Sequence, residues 1–209
     1  IYFTLTIFVI FLYSLNNIRL LDSVNLAFTT ISSGGFLPTD SLSNIIRNNL
    51  QELILSLTLL LPIFNFFLLF DLSTKQLELK NHQEDLHLFI LIAFLTIISY
   101  FFISPGEGII NVLLSIISSI STSGITTYTP SNDLSLLLIL LTIVGGSLIS
   151  TSSGIKYVRF YILLKISYQE IHKIAKPMNI FNKNLFNSET KITDDDSKIA
   201  FLVFISFII

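Results

Sequence analysis

Three uncharged apolar runs, residues 53–70, 88–105 and 134–155, constrain this chain more than anything else in it. Each is long enough to cross a hydrocarbon core as a helix, which takes roughly 20 apolar residues. Charge that would solubilise such runs is scarce: 12% of residues are charged against 52% hydrophobic, and mean hydropathy is +0.76. A soluble domain carries about 25% charged residues, so the chain reads as an all-α integral membrane protein rather than a set of buried core helices. A net charge of −2 offers no basic surface to nucleic acid. There is no cysteine, and His82, His87 and His172 lack the spacing that a zinc site needs. The chain is apolar from Ile1 with no basic segment ahead of it, and it stops inside a second apolar run, 199–209. That pattern suggests a fragment of a longer protein, cut within a membrane segment at each end.

Organisation follows from where the apolar runs break. Residues 1–15 read as the later part of a spanning helix and 16–21 as a polar break. Residues 22–31 form a helix too short to span, ending in Ser32, Ser33, Gly34, Gly35 and Phe36. After a polar loop, 52–70 is predicted to span without interruption, 71–85 is a charged loop, and 87–104 spans again. Pro105, Gly106 and Gly108 mark a turn. A second short helix, 109–120, ends in Ser121, Thr122, Ser123, Gly124 and Ile125. The apolar segment 134–165 exceeds one span and is interrupted by Gly145, Gly146, Ser147, then Ser150, Thr151, Ser152, Ser153 and Gly154. The order repeats as span, short helix, Ser/Gly turn, loop, span. Residues 31–35 align with 120–124 at a constant offset of 89 without gaps. Internal repeats in membrane proteins often set the transport path at their interface.

Basic residues suggest an orientation. Lys75, Lys80, Lys173, Lys176, Lys183 and Lys191 fall on one side of this topology, and only Arg19 and Arg47 on the other. The positive-inside rule assigns the lysine-rich side to the cytoplasm, so both short helices dip in from outside.

Irregular backbone survives at membrane depth only beside protein or a water-filled cavity. A half-length helix entering from outside aims the negative end of its dipole at the membrane centre. Carbonyls and hydroxyls of the following turn could then replace the water shell of a monovalent cation. Neither turn holds a carboxylate, which disfavours a divalent site. One isolated Ser/Gly turn would equally serve close helix packing; two copies, each after a half-length helix, favour an ion path. Residues 145–154 would weaken their helix and could either block such a path and move aside or form a static kink. Lys156 and Arg159 follow closely, and would face an aqueous cavity or snorkel to the interface. Asn65 reads as interhelical glue. No phosphate loop is present, since the Gly-Lys-Ser/Thr ending is missing. An intramembrane hydrolase lacks a His or Asp beside Ser147 or Ser150.

These residues resemble the TrkH/KtrB family of potassium transporters. The likeness rests on residues 27–36 and 121–127, on Gly145, Gly146 and Ser147, on the string from Ser150 to Lys156 with Arg159, and on 63–66 and 84–86. It implies M1–pore helix–filter turn–M2 units with re-entrant half-helices. Residues 1–86 would be the second repeat, 87–175 the third with a broken M2 gate loop, and 176–209 a cytoplasmic linker and the start of the fourth. The implied filter oxygens come from Ser32, Ser33, Gly34, Gly35, Ser121, Thr122, Ser123 and Gly124. The implied gate is Gly145, Gly146, Ser147, Ser150, Thr151, Ser152, Ser153 and Gly154, and Lys156 and Arg159 are the cavity charges. Potassium is then the substrate at the filter, with Na+ or H+ as the coupling ion of a symport. A homodimer in the bacterial inner membrane and a cytoplasmic nucleotide-binding regulatory subunit are implied as well. Ile125 stands where an aromatic is common and Ser152 and Ser153 where glycines are, and two of the family's four filters are missing. The rival reading is a non-transporting membrane scaffold.

Overall fold

The computed structural model describes residues 2–74, 82–175, 184–186 and 191–208. Its helices run in the order α1 (Tyr2–Leu15), α2 (Leu20–Ser32), α3 (Asn49–Thr58), α4 (Phe66–Thr74), α5 (Gln83–Ile98), α6 (Ile109–Ile120), α7 (Asn132–Val144), α8 (Tyr157–Ala175) and α9 (Asp194–Ile208). A π-helical turn, Ser99–Ile103, extends α5. Together they form the one helix among the described residues that is long and apolar enough to span a membrane, Gln83–Ile103. At 1.5 Å per residue, α2 and α6 reach about 20 Å, well short of a hydrocarbon core of about 30 Å.

The sequence sets these boundaries locally. Asn17 closes α1 in a left-handed conformation (φ 60), which Asn tolerates better than most residues. Ser131 caps α7 by accepting the Leu134 N–H. Pro105 lies just past the π turn, where it withholds a donor that a longer helix would need. At α9, Thr193 and Asp196 form a reciprocal box: the Asp196 N–H donates to Thr193 Oγ1, and the Thr193 N–H donates to Asp196 Oδ2. The Thr193 N–H and hydroxyl hold the Asp196 carboxyl below the usual aspartate range. A depressed carboxyl stabilises the fold above its unfolded pKa of about 4, and that stabilisation is lost as pH falls through the folded value. Acidification below about pH 4 should therefore fray the first turn of α9, and Thr193→Ala at neutral pH should do so for about 1 kcal/mol through loss of the cap. Faster amide exchange at Asp196 and Ser197 would show it, and unchanged exchange would rule the cap out.

Helix α1 packs on α2, α5 and α7 pack on α6, and α3 also packs on α6. The buried centre comprises Leu26, Ala27 and Ile31 of α2, Leu55 and Leu59 at the end of α3, and Leu114, Ile116, Ile117 and Ile120 of α6. Large apolar side chains also cover the outside, with Phe3 77%, Phe102 83% and Ile174 86% exposed. Apolar surface this extensive suits lipid. Against lipid, helix packing gains from van der Waals contact rather than from release of water.

The predicted uninterrupted span 52–70 is corrected by the structure. It is two short helices, α3 and α4, separated by turns at 59–65. Pro62 has no N–H to give a helix, and the break frees the Pro62 and Ile63 carbonyls for partners elsewhere. The other differences are smaller. Helix α2 starts at Leu20 rather than 22, α4 extends to Thr74, α5 begins at Gln83, and α8 continues to Ala175. Lys75, Lys80, Lys176 and Lys183 lie outside the described residues.

Candidate functional site

The two Ser/Gly turns have the same backbone. Ser33 ends α2 in the left-handed region (φ 55) and Thr122, 89 residues later, ends α6 in the same region (φ 62). In the first turn the Ser33 N–H donates to Thr30 O (3.4 Å) and the Gly34 N–H to Thr29 O (3.0 Å). In the second, the Thr122 N–H donates to Ser119 O (3.0 Å) and the Ser123 N–H to Ser118 O (3.0 Å). Both are Schellman closures, a motif that ordinarily uses glycine at the left-handed position. Here glycine comes two residues later, as Gly35 (φ 72) and Gly124 (φ 67), again 89 apart. A left-handed Ser costs about 1–2 kcal/mol, and a β-branched Thr there is an outlier that neighbouring structure must enforce.

The turns meet. A Cβ built on Gly35 would collide with the Ser123 carbonyl oxygen, whereas one on Gly124 meets nothing within 4 Å. Gly35 is therefore required both by φ and by close approach of the second turn. Ser32, Gly34 and Gly124 are exposed, Ser33, Gly35 and Thr122 half-buried, and Ser121 and Ser123 buried. Ser121 Oγ, Ser123 Oγ and Ser118 Oγ hydrogen-bond among themselves, so these hydroxyls brace the turn.

The loop 145–156 is pinned at its neck. The Ile155 N–H donates to Ile143 O and the Tyr157 N–H to Gly146 O, both at 2.9 Å. Gly145 (φ 71) and Gly154 (φ 95) lie face to face there, and a Cβ on Gly145 would strike the Ser153 carbonyl. Inside the loop Ser152 Oγ accepts the Gly146 N–H and pairs with Ser150 Oγ, which in turn donates to Ser147 O. Gly145, Gly146, Ser147 and Ser152 are buried, while Thr151 and Ser153 are exposed.

This loop touches both turns. Thr151 Oγ1 donates to Ile31 O (3.0 Å), and the Ser153 N–H donates to Thr122 Oγ1 (3.0 Å). The latter bond falls on the strained Thr122. The loop also docks on the break at 59–65. The Ser147 N–H donates to Ile63 O (2.9 Å), the Ser152 N–H to Pro62 O (3.2 Å), and the Phe66 N–H to Ile149 O (2.8 Å). Two carboxylates at the start of α5 complete the junction: Glu84 accepts the Leu148 N–H (2.7 Å) and Asp85 the Asn65 N–H (2.8 Å).

Lys156 is half-buried and bonded to the loop it follows. With φ 77 it folds back, and its ammonium donates to Ser150 O (3.1 Å), Ser150 Oγ (3.1 Å) and Ser152 O (2.6 Å). Arg159 is half-buried on the first turns of α8. Asn65 does not bridge helices through its amide; its Oδ1 accepts the Phe67 N–H and so starts α4. Sequence reasoning missed the break at 59–65, for which Pro62 was the available signal, and missed Glu84 and Glu52 as anchors. Nothing local marks those two.

No protein-family model matches the chain. It is 30% identical over 183 residues, 85% of its length, to an uncharacterized cation transporter of Methanocaldococcus jannaschii. It is also 30% identical over 185 residues (83% of its length) to the Trk system potassium uptake protein TrkG of Escherichia coli, and 28% identical over 189 residues (85%) to TrkH of Halomonas elongata. The chain spans 37%, 38% and 39% of these relatives. Among solved structures, the potassium transporter TrkH of Vibrio parahaemolyticus superposes with a TM-score of 0.82 at 21% identity, covering 98% of this chain and 46% of that one.

Proposed function

The chain is a TrkH/KtrB-like family member and an all-α membrane protein, and from that premise we propose that it supplies part of a pore for potassium uptake. Residues 1–86 act as the second repeat, 87–175 as the third, and 176–209 lead into the fourth. Ser32, Ser33, Gly34 and Gly35, with Ser121, Thr122, Ser123 and Gly124, give half of the filter oxygens. The loop 145–154 is the gate beneath them, with Lys156 and Arg159 as the charges beside the path. Na+ or H+ is the coupling ion. The complete protein works as a homodimer in the plasma membrane, with the lysine-rich side in the cytoplasm and a nucleotide-binding subunit docked there.

One observation carries this reading. The left-handed Ser33 and Thr122, and the glycines two residues after each, repeat at a spacing of 89 and face one another across the Gly35–Ser123 approach. Packing alone asks for small residues at a contact, and does not ask for the same strained dihedrals twice.

The test uses the full-length protein in cells lacking other potassium uptake, with single cysteines at the exposed positions Ser32, Gly124 and Thr151. Thiol reagents should block rubidium influx at all three, and added potassium should protect. Cysteines that label fully while influx persists would favour the scaffold.

A further inference from the structure

Glu52 is 6% exposed, yet its carboxylate has no lysine, arginine or histidine partner among the described residues. Burying a carboxylate without a cation is costly unless its oxygens are saturated by donors. Those donors come from across a repeat boundary. Thr127 Oγ1 donates to Oε1 at 2.5 Å. The Asn111 amide lies 2.8 Å from Oε1 and 2.7 Å from Oε2; two carboxylate acceptors call for its nitrogen on that side, and in that orientation it donates to both. Glu52 lies in the first turn of α3 and Asn111 in the first turn of α6, and these two helices pack together. Two helix N-termini thus favour the negative charge that no cation neutralises.

The carboxylate does something for the second turn that the first turn does for itself. Beyond the first turn, Thr29 Oγ1 holds the exit chain by donating to Phe36 O (2.7 Å). The residue equivalent to Thr29 at the spacing of 89 is Ser118, whose hydroxyl is engaged with Ser123 instead. Chain leaving the second turn is held at Thr127, three residues past Gly124, by Glu52. The same spacing puts Pro38 opposite Thr127 and Asp22 opposite Asn111, so the first turn has no such strap.

We propose that Glu52 is a positioning residue that fixes the second turn from the neighbouring repeat and thereby sets discrimination among monovalent cations. This rests on the filter reading above. The strap acts on the geometry of the turn's oxygens, so its loss loosens the site rather than removing it. Glu52 and Thr127 both lie outside the two Ser/Gly turns themselves.

The experiment measures rubidium influx against sodium competition in the full-length protein, with membrane abundance measured alongside. Glu52→Ala and Thr127→Val should each raise the rubidium KM about tenfold, a shift of one hydrogen-bond increment in affinity, with maximal influx per protein little changed. Sodium should compete correspondingly better. Thr127→Val keeps the side chain's shape and removes only the donor, which guards against a failure to fold. Glu52→Asp with normal abundance should recover part of the discrimination. An unchanged KM and sodium sensitivity in both Glu52→Ala and Thr127→Val would overturn the proposal. Variants of Gly35 in the same assay separate the two failures. If they alter influx and the strap variants do not, the strap alone is wrong; if neither does, the filter reading is wrong as well.

Discussion

Gly35→Ala in the full-length protein should lower rubidium influx by about a hundredfold or more, whereas Gly124→Ala should lower it about tenfold. Both glycines sit at positive φ, 72 and 67, so both substitutions carry the left-handed penalty of about 1–2 kcal/mol, near tenfold by itself. They differ in what the new methyl meets. At Gly35 it strikes the backbone carbonyl of Ser123, and a carbonyl fixed by its own turn cannot swing aside as a side chain can. Either the two turns separate or the first one unwinds, and each moves oxygens that the proposed site needs. At Gly124 the methyl enters open space. Growth at limiting potassium and rubidium influx per membrane protein are the measurements. Equal losses would mean that φ alone matters and the approach of the turns does not. No loss at Gly35 would mean that the first turn contributes nothing to transport.

The contrast between the two glycines was not legible in the sequence, which treats them as equivalents at a spacing of 89. Their place after two short helices was. The short helix 109–120 matches α6 residue for residue, and α2 differs from its expected bounds by two residues at its start and one at its end, because the polar residues that end each apolar run lie in the local chain. What depended on distant partners was hidden. The span predicted over 52–70 broke at Pro62 because the carbonyls released there are satisfied by Ser147 and Ser152, more than eighty residues along the chain. An uninterrupted apolar run gives no sign of such partners. Glu52 was only the first residue of that expected span, and the packing of α3 on α6 is what shows where its carboxylate goes. Lys156 was expected to reach a cavity or the interface, since a charge beside an apolar segment usually escapes toward water. Its positive φ turns the side chain back on the loop, and three oxygens there replace water.

That arrangement makes Lys156→Met the second variant with a large expected effect, and its sign is opposite to that of Gly35→Ala. The ammonium joins Ser150 to Ser152 from within the loop. The loop in turn is held to the break at 59–65, to Glu84 and to both turns. Hydrogen bonds from a charged donor contribute about 1.5–3 kcal/mol each, so losing them shifts a closed–open equilibrium toward open by about tenfold or more. If the loop is the gate, rubidium influx without any activating signal should rise by about that factor in Lys156→Met, at equal membrane abundance. Lys156→Arg should give an intermediate rise, because a planar guanidinium cannot reproduce the convergence of one ammonium on three oxygens. Glu84→Gln keeps an oxygen for the Leu148 N–H and should change little, while Glu84→Ala should act in the same direction as Lys156→Met. A fall in influx at normal abundance would mean that the folded-back lysine keeps the path conductive. Unchanged influx would make 145–156 a static kink and confine the proposed role in transport to the two turns.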